Sequence, residues 1–258
     1  MIMLLPLKTV DLPMKILIKT VCILMMTIPS FAQNTFKANQ LKFERVKNAY
    51  DEKWAMLQKD LQKAGVMGDF ELFIAAYKAE GKLELWLKTD RQSKYSLFKT
   101  YDFCAHSGTL GPKIMEGDLQ TPEGFYNINV FNPESTYHLS LGVDYPNKVD
   151  LARTGPSKKP GGDIYIHGNC VTVGCIPLTD EKIKEVYVLA VEARNYGQSE
   201  IPVHIFPFKM TAANLKKHVI QYPQQASFWK TLQKGYLAFE KAKTLPNISE
   251  EKGDYIIK

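Results

Sequence analysis

The chain reads as a mainly β domain with flanking helices, and three observations carry that expectation. Leu72, Ile74 and Ala76, then Leu83, Leu85 and Leu87, fall at two-residue spacing on either side of Glu80-Gly81, as in two strands joined by a tight turn. Short β-rich runs recur afterwards, in SLFKTYDFC, GFYNINVF, STYHLSLGV, IYIH and IPVHIFPF. Between Gln40 and Leu61 the period changes, with Phe43, Val46, Ala49, Tyr50, Trp54, Leu57 and Leu61 at helical spacing. A chain of 258 residues, 45% hydrophobic and 11% aromatic, supports one full core and is short for two. No repeat or low-complexity tract points to a solenoid or a disordered tail.

Residues 14–32, MKILIKTVCILMMTIPSFA, place Lys15 and Lys19 before a short apolar run that ends in Ser30-Phe31-Ala32. Residues 1–32 are therefore expected to be a secretory signal peptide, with Met14 an alternative start to residues 1–13. Cys22 lacks the preceding residues of a lipid-attached cysteine, so no stable membrane anchor is expected after cleavage. Loss of three lysines and one aspartate with residues 1–32 takes the formal charge from +6 to +4. The lysines are spread out rather than clustered among stacking aromatics, which argues against nucleic-acid binding.

Residues 33–66 are expected to hold the N-terminal helix, its aromatic stripe packing on the body. Residues 67–210 form the central domain. After the hairpin and the strand ending at Cys104 comes a Gly-rich loop, SGTLGPKIMEGDLQ. In TPEGFYNINVF, Pro122 and Gly124 suit positions two and four of a type I turn that leads into a strand facing Tyr126, Ile128 and Val130 one way. VDLARTGPSKKPGGD reads as a long polar loop of the kind that borders sites. Residues 179–196 show a helical face of Ile183, Val186, Tyr187, Ala190 and Val191, with Thr179 or Asp180 as cap and Gly197 as stop. Residues 211–258 are expected to be a helical extension with aromatics on the body.

The chemistry concentrates in HGNCVTVGCIPLTD. Cys175 follows Gly174 in a turn between a strand and a helix N-terminus, where backbone N–H groups can face a bound carbonyl. A free thiol is only slightly ionised at neutral pH and needs a neighbouring base, which His167 supplies. The alternative is a buried structural cysteine beside an unrelated histidine. An odd number of cysteines, Cys104, Cys170 and Cys175, follows the signal segment, so one thiol is left over. Cys175 is taken as that thiol, with Cys104 and Cys170 either paired or reduced and flanking the site. A zinc site of His167, Cys170 and Cys175 lacks a fourth ligand, and no metal is expected. No cofactor is expected either, since GTLGPK lacks the ending of a phosphate-binding loop. His138 and His106 are weaker candidates near the cleft, together with Thr172. His204 reads as structural and His218 as solvated.

TPEGFY, 121–126, and IHGNCVTVGCIPLTD, 166–180, in that order behind a signal segment, resemble the bacterial L,D-transpeptidase (YkuD-type) catalytic domain. SGTLGPK, FPFKMTAANLKKH and the aromatic tail are similar to its YafK-type branch. The resemblance implies a sandwich- or barrel-like β domain with Cys175 as nucleophile and His167 as base. It further implies that the Gly168 carbonyl orients the imidazole and that N–H groups of Val173, Gly174 and Cys175 hold an oxyanion. The commoner Ser-His-Gly-Cys-Ile-Arg is here Thr172-Val173-Gly174-Cys175-Ile176-Pro177, without the second histidine and the arginine. The expected activity is acyl transfer on peptidoglycan stem peptides in the periplasm or cell envelope, the acceptor being a second stem peptide or a lysine of a wall-attached protein. The alternatives are a hydrolase of the same bonds and a non-catalytic wall-binding module.

Overall fold

A computed structural model describes residues 36–258; the expected signal segment lies outside the described residues. The chain runs α1 (Glu44–Lys63), β1 (Phe70–Tyr77), β2 (Lys82–Thr89), β3 (Ser96–Asp102), β4 (Gly124–Ser135), β5 (His138–Val143) and α2 (Lys148–Thr154). It continues with β6 (Tyr165–His167), β7 (Ile176–Pro177), α3 (Asp180–Asn195), β8 (Pro202–Phe206), α4 (Ala212–Gln221), α5 (Ala226–Ala242), β9 (Ile248–Glu251) and β10 (Asp254–Ile257). Eight strands form one sheet in the order β3-β2-β1-β8-β4-β5-β6-β7, and β9 pairs with β10 separately. β8 lies parallel to β1, and β7 parallel to β6.

The hairpin pairs Leu72 with Leu87 and Ala76 with Leu83, in the register its alternation predicts. Both of its faces are covered, however. Leu72, Ile74 and Ala76 enter a core built with α1 and α3, whereas Phe73, Ala75 and Tyr77 enter a second core with Phe228, Trp229, Leu232 and Phe239 of α5. Each such fully buried large apolar side chain contributes about 1.5–3 kcal/mol. The segment 211–258 is therefore a wall of the domain rather than an appendage, and it ends in a β-hairpin that the helical reading lacked.

Three further local expectations change. Helix α1 begins at Glu44 rather than Gln40, because residues 36–40 form a separate helical stretch and the chain breaks at Phe43, which is extended and whose N–H closes a turn on the Gln40 carbonyl at 3.1 Å. Val130 is 40% exposed because a register shift after Ile128 turns it off the Tyr126 face. The presumed loop at 149–163 opens with α2, whose N-terminus is a reciprocal cap: Asn147 accepts the Val149 and Asp150 N–H groups while Asp150 accepts that of Asn147.

Candidate active site

β6 has three residues and β7 two, and their pairing sets the site. Ile166 faces Ile176 and His167 faces Pro177. Both isoleucines are buried in the first core, so strand alternation puts Tyr165, His167 and Pro177 on the opposite face, with Cys175 continuing that row. Cys175 lies beside Tyr165, whose N–H donates to its Sγ at 3.4 Å; the thiol faces the Asp163 carbonyl at 3.5 Å.

The His167 ring is 1% exposed. Its Nδ1 meets the Gly168 carbonyl at 2.5 Å; a carbonyl only accepts, so Nδ1 carries the proton and Nε2 keeps its lone pair. Burial lowers the imidazole pKa, against the smaller opposing effect of the Gly168 bond. Tyr137 covers the ring, 4.8 Å between centroids and tilted 31°. Burial pushes the Cys175 thiol up, opposed by the Tyr165 N–H; the Asp163 charge raises it further and Lys113 lowers it. Both effects favour a resting neutral thiol and neutral imidazole.

The loop between the two residues is held from several sides. At Gly168 a Cβ would lie 2.6 Å from Asp180 Oδ1 and 2.9 Å from His138 Cβ, so only glycine fits. Asp180 Oδ1 also accepts the Asn169 N–H at 2.8 Å, while Thr179, the observed N-cap of α3, makes no side-chain cap bond. Cys170 and Cys104 form a disulfide with Cα atoms 5.2 Å apart, and Cys175 is the free cysteine among the described residues. Leu119, His138, Asp163 and Asn169 all have left-handed φ, between 55° and 69°, concentrating backbone strain around the site.

Two cavities meet Cys175. One, of about 210 Å³, is lined by Lys78, His106, Ser107, Thr121 and Tyr222 among others. The other, of about 260 Å³, is lined by Lys113, Glu116, Leu119, Asp163 and Val173 among others. His106 is thus at the cleft. His138 instead stands behind Gly168, its Nδ1 buried without a partner.

Thr172 is committed within the loop: its hydroxyl donates to the Cys175 carbonyl at 2.8 Å and accepts the Gly174 N–H at 3.1 Å. That geometry leaves Thr172 no free donor for a ligand and removes Gly174 from the expected oxyanion set, leaving Val173 and Cys175. The weighed zinc set loses Cys170 to the disulfide, and among the described residues no group of three or more His, Cys, Asp or Glu is placed to hold a metal. His218 is not simply solvated; it stacks on Phe208 at 4.3 Å. His204 is buried among Phe73, Phe125 and Phe206.

Sequence reading passed over four neighbours of the site. Tyr137 and Asp180 reach it only through the fold. Lys78 stands just past β1 with no local signal to single it out, and the type I turn expected around Glu123 does not form: residues 121–123 are irregular and Glu123 is fully buried.

A free cysteine and a tautomer-fixed histidine on one face of short adjoining strands define a cysteine–histidine site on a mainly β domain. Residues 76–205 match the L,D-transpeptidase catalytic domain family, and the chain belongs to that family. The Escherichia coli (strain K12) protein YafK, which carries the L,D-transpeptidase name, is 36% identical over 197 residues, 76% of each chain. Among solved structures, the helical cell shape determining protein Pgp2 of Campylobacter jejuni is similar at 20% identity, over 71% of this chain and 73% of its own, with a TM-score of 0.43. Family membership gives the chain a peptidoglycan-related, L,D-transpeptidase-type role.

Proposed function

We propose that the protein is an exported cysteine acyltransferase that cuts and re-forms amide bonds of peptidoglycan stem peptides through a thioester on Cys175. The observation that carries this reading is the free Cys175 thiol on the same face as His167, whose Nε2 lone pair is kept available by the Nδ1–Gly168 bond. Nε2 takes the thiol proton as sulfur attacks the carbonyl carbon. The developing oxyanion is held by the N–H groups of Val173 and Cys175. The C–N bond then breaks, the imidazolium gives its proton to the leaving amine, and the acyl group stays on sulfur. An incoming amine loses a proton to His167, attacks the thioester and releases the thiol.

With water as acceptor the same steps release a carboxylic acid. Pro177, where the commoner pattern has arginine, favours keeping this second reading. Export is supported by residues 14–32 and by the Cys104–Cys170 disulfide, since such bonds persist in oxidising compartments.

The test is mass spectrometry of stem peptides incubated with residues 33–258 and with its Cys175→Ala variant. Amine-exchanged or cross-linked peptides made only by the unsubstituted protein support transfer. Shortened peptides without exchange support hydrolysis. Equal products from both proteins would reject Cys175 as the nucleophile.

A further inference from the structure

The cleft beside Cys175 contains a buried charge that the proposed chemistry does not use. Lys78 follows β1 directly, and its ammonium is enclosed, with a side chain 7% exposed against 0% for Glu123. Nζ donates to the Gly111 carbonyl at 2.8 Å, the Thr121 carbonyl at 2.8 Å and Glu123 Oε1 at 3.0 Å, which exhausts its three protons. Glu123 Oε1 also accepts the Gly111 N–H at 2.7 Å, and Oε2 accepts Trp229 Nε1–H at 2.8 Å. One ion pair thus binds the hairpin turn, both ends of the 111–121 loop and α5.

A buried ion pair is a poor choice for stability alone, because desolvating each charge costs several kcal/mol and apolar side chains of equal volume do as well or better. What this pair supplies is position. Residue 120 precedes the carbonyl that Lys78 holds, and the Gln120 carbonyl lies 2.9 Å from where a Cβ on Gly174 would stand. Gly174, with φ of 142°, can accept that approach. The strip that Lys78 fixes is therefore the surface against which the residue before Cys175 rests. Lys78 and Thr121 also line the 210 Å³ cavity that opens on Cys175.

We propose that Lys78 and Glu123 are a positioning pair that fixes the 111–121 wall against Gly174 and so sets the place of Cys175 within its cleft. The inference rests on Cys175 as the reactive centre, but its first test needs no turnover. Lys78→Met/Glu123→Gln removes both charges together and keeps one of the two acceptor oxygens that serve the Gly111 and Trp229 N–H groups. Amide hydrogen exchange is expected to quicken on the order of tenfold in peptides covering 105–123 and 168–178, with the β1–β2 hairpin unchanged. Trp229→Phe removes the N–H anchor together with part of a fully buried ring, and is expected to show a smaller change in the same two segments beside added exchange around α5.

On a turned-over substrate the double variant is expected to lose about 100-fold in kcat with KM within about threefold, the mark of misplacement rather than lost binding. Unchanged exchange at 168–178, quickening spread over the whole chain, or wild-type kcat in a folded double variant would each overturn the proposal. A Cys175→Ala protein that keeps activity would overturn the nucleophile reading instead, and leaves the exchange result to decide the positioning claim alone.

Discussion

The Cys104–Cys170 disulfide joins two stretches 66 residues apart, and both ends border the site. Closing a loop of that size removes conformational entropy from the unfolded chain worth about 4 kcal/mol at 25 °C. Against the 5–15 kcal/mol typical of whole domains, that is a large share. The perturbation is Cys104→Ser/Cys170→Ser in residues 33–258 carrying Cys175→Ala, which leaves no thiol to exchange. Urea unfolding of this protein against its oxidised Cys175→Ala parent is expected to show about 4 kcal/mol less stability and a melting temperature lower by roughly 10 °C. The dependence on urea should steepen, because the uncrosslinked unfolded chain exposes more surface. Reductant should bring the parent to the variant and leave the variant unmoved. Equal stability in the oxidised parent and the serine variant would refute the reasoning.

Burial that pushes the Cys175 thiol up predicts slow alkylation by iodoacetamide at neutral pH and a rate midpoint above that of a free thiol such as glutathione; a midpoint below it would indicate a resting thiolate–imidazolium pair. Burial that lowers the His167 pKa keeps the ring neutral in the native state, so kcat/KM in a pH series should lose its acid limb only below the usual histidine value. Gly168→Ala drives a methyl group into Asp180 and His138 and should cost about 1–3 kcal/mol by thermal unfolding, with turnover reduced more than binding. Asp150 is fully buried, with its pKa raised to about 7 mainly by desolvation. Its protonated form favours the native state, so that stability is present at acid pH and falls as pH rises toward 7, by at most about 4 kcal/mol. Asp150→Asn should flatten the urea midpoint between pH 4 and 8.

Much of the frame was legible because its signals are local. Alternation around Glu80-Gly81 marks the hairpin, and the apolar face from Ile183 to Val191 marks α3. The HG and GC segments locate His167 and Cys175 because each strand and turn is short. What escaped depends on distant neighbours. Phe73 and Tyr77 look like outward positions until α5 covers them. Lys78 and Glu123 find each other across a loop, and Tyr137 reaches the imidazole only once β5 pairs with β6, whereas the Cys104–Cys170 pair is one of the two states the cysteine count leaves open. The cap at Asn147 and Asp150 was readable, but the prolines and glycines that follow it masked the helix.

β7 ends the sheet, and that edge is closed to strand addition. Pro177 has no N–H to offer, and its carbonyl is already taken by the Cys104 N–H at 3.1 Å. A peptide therefore cannot extend the sheet at β7, beside Cys175, as ligands of many exposed edges do. It must descend onto the face, through the two cavities. That approach asks nothing of the ligand's backbone twist, so it suits a short branched chain of mixed chirality as well as an ordinary polypeptide.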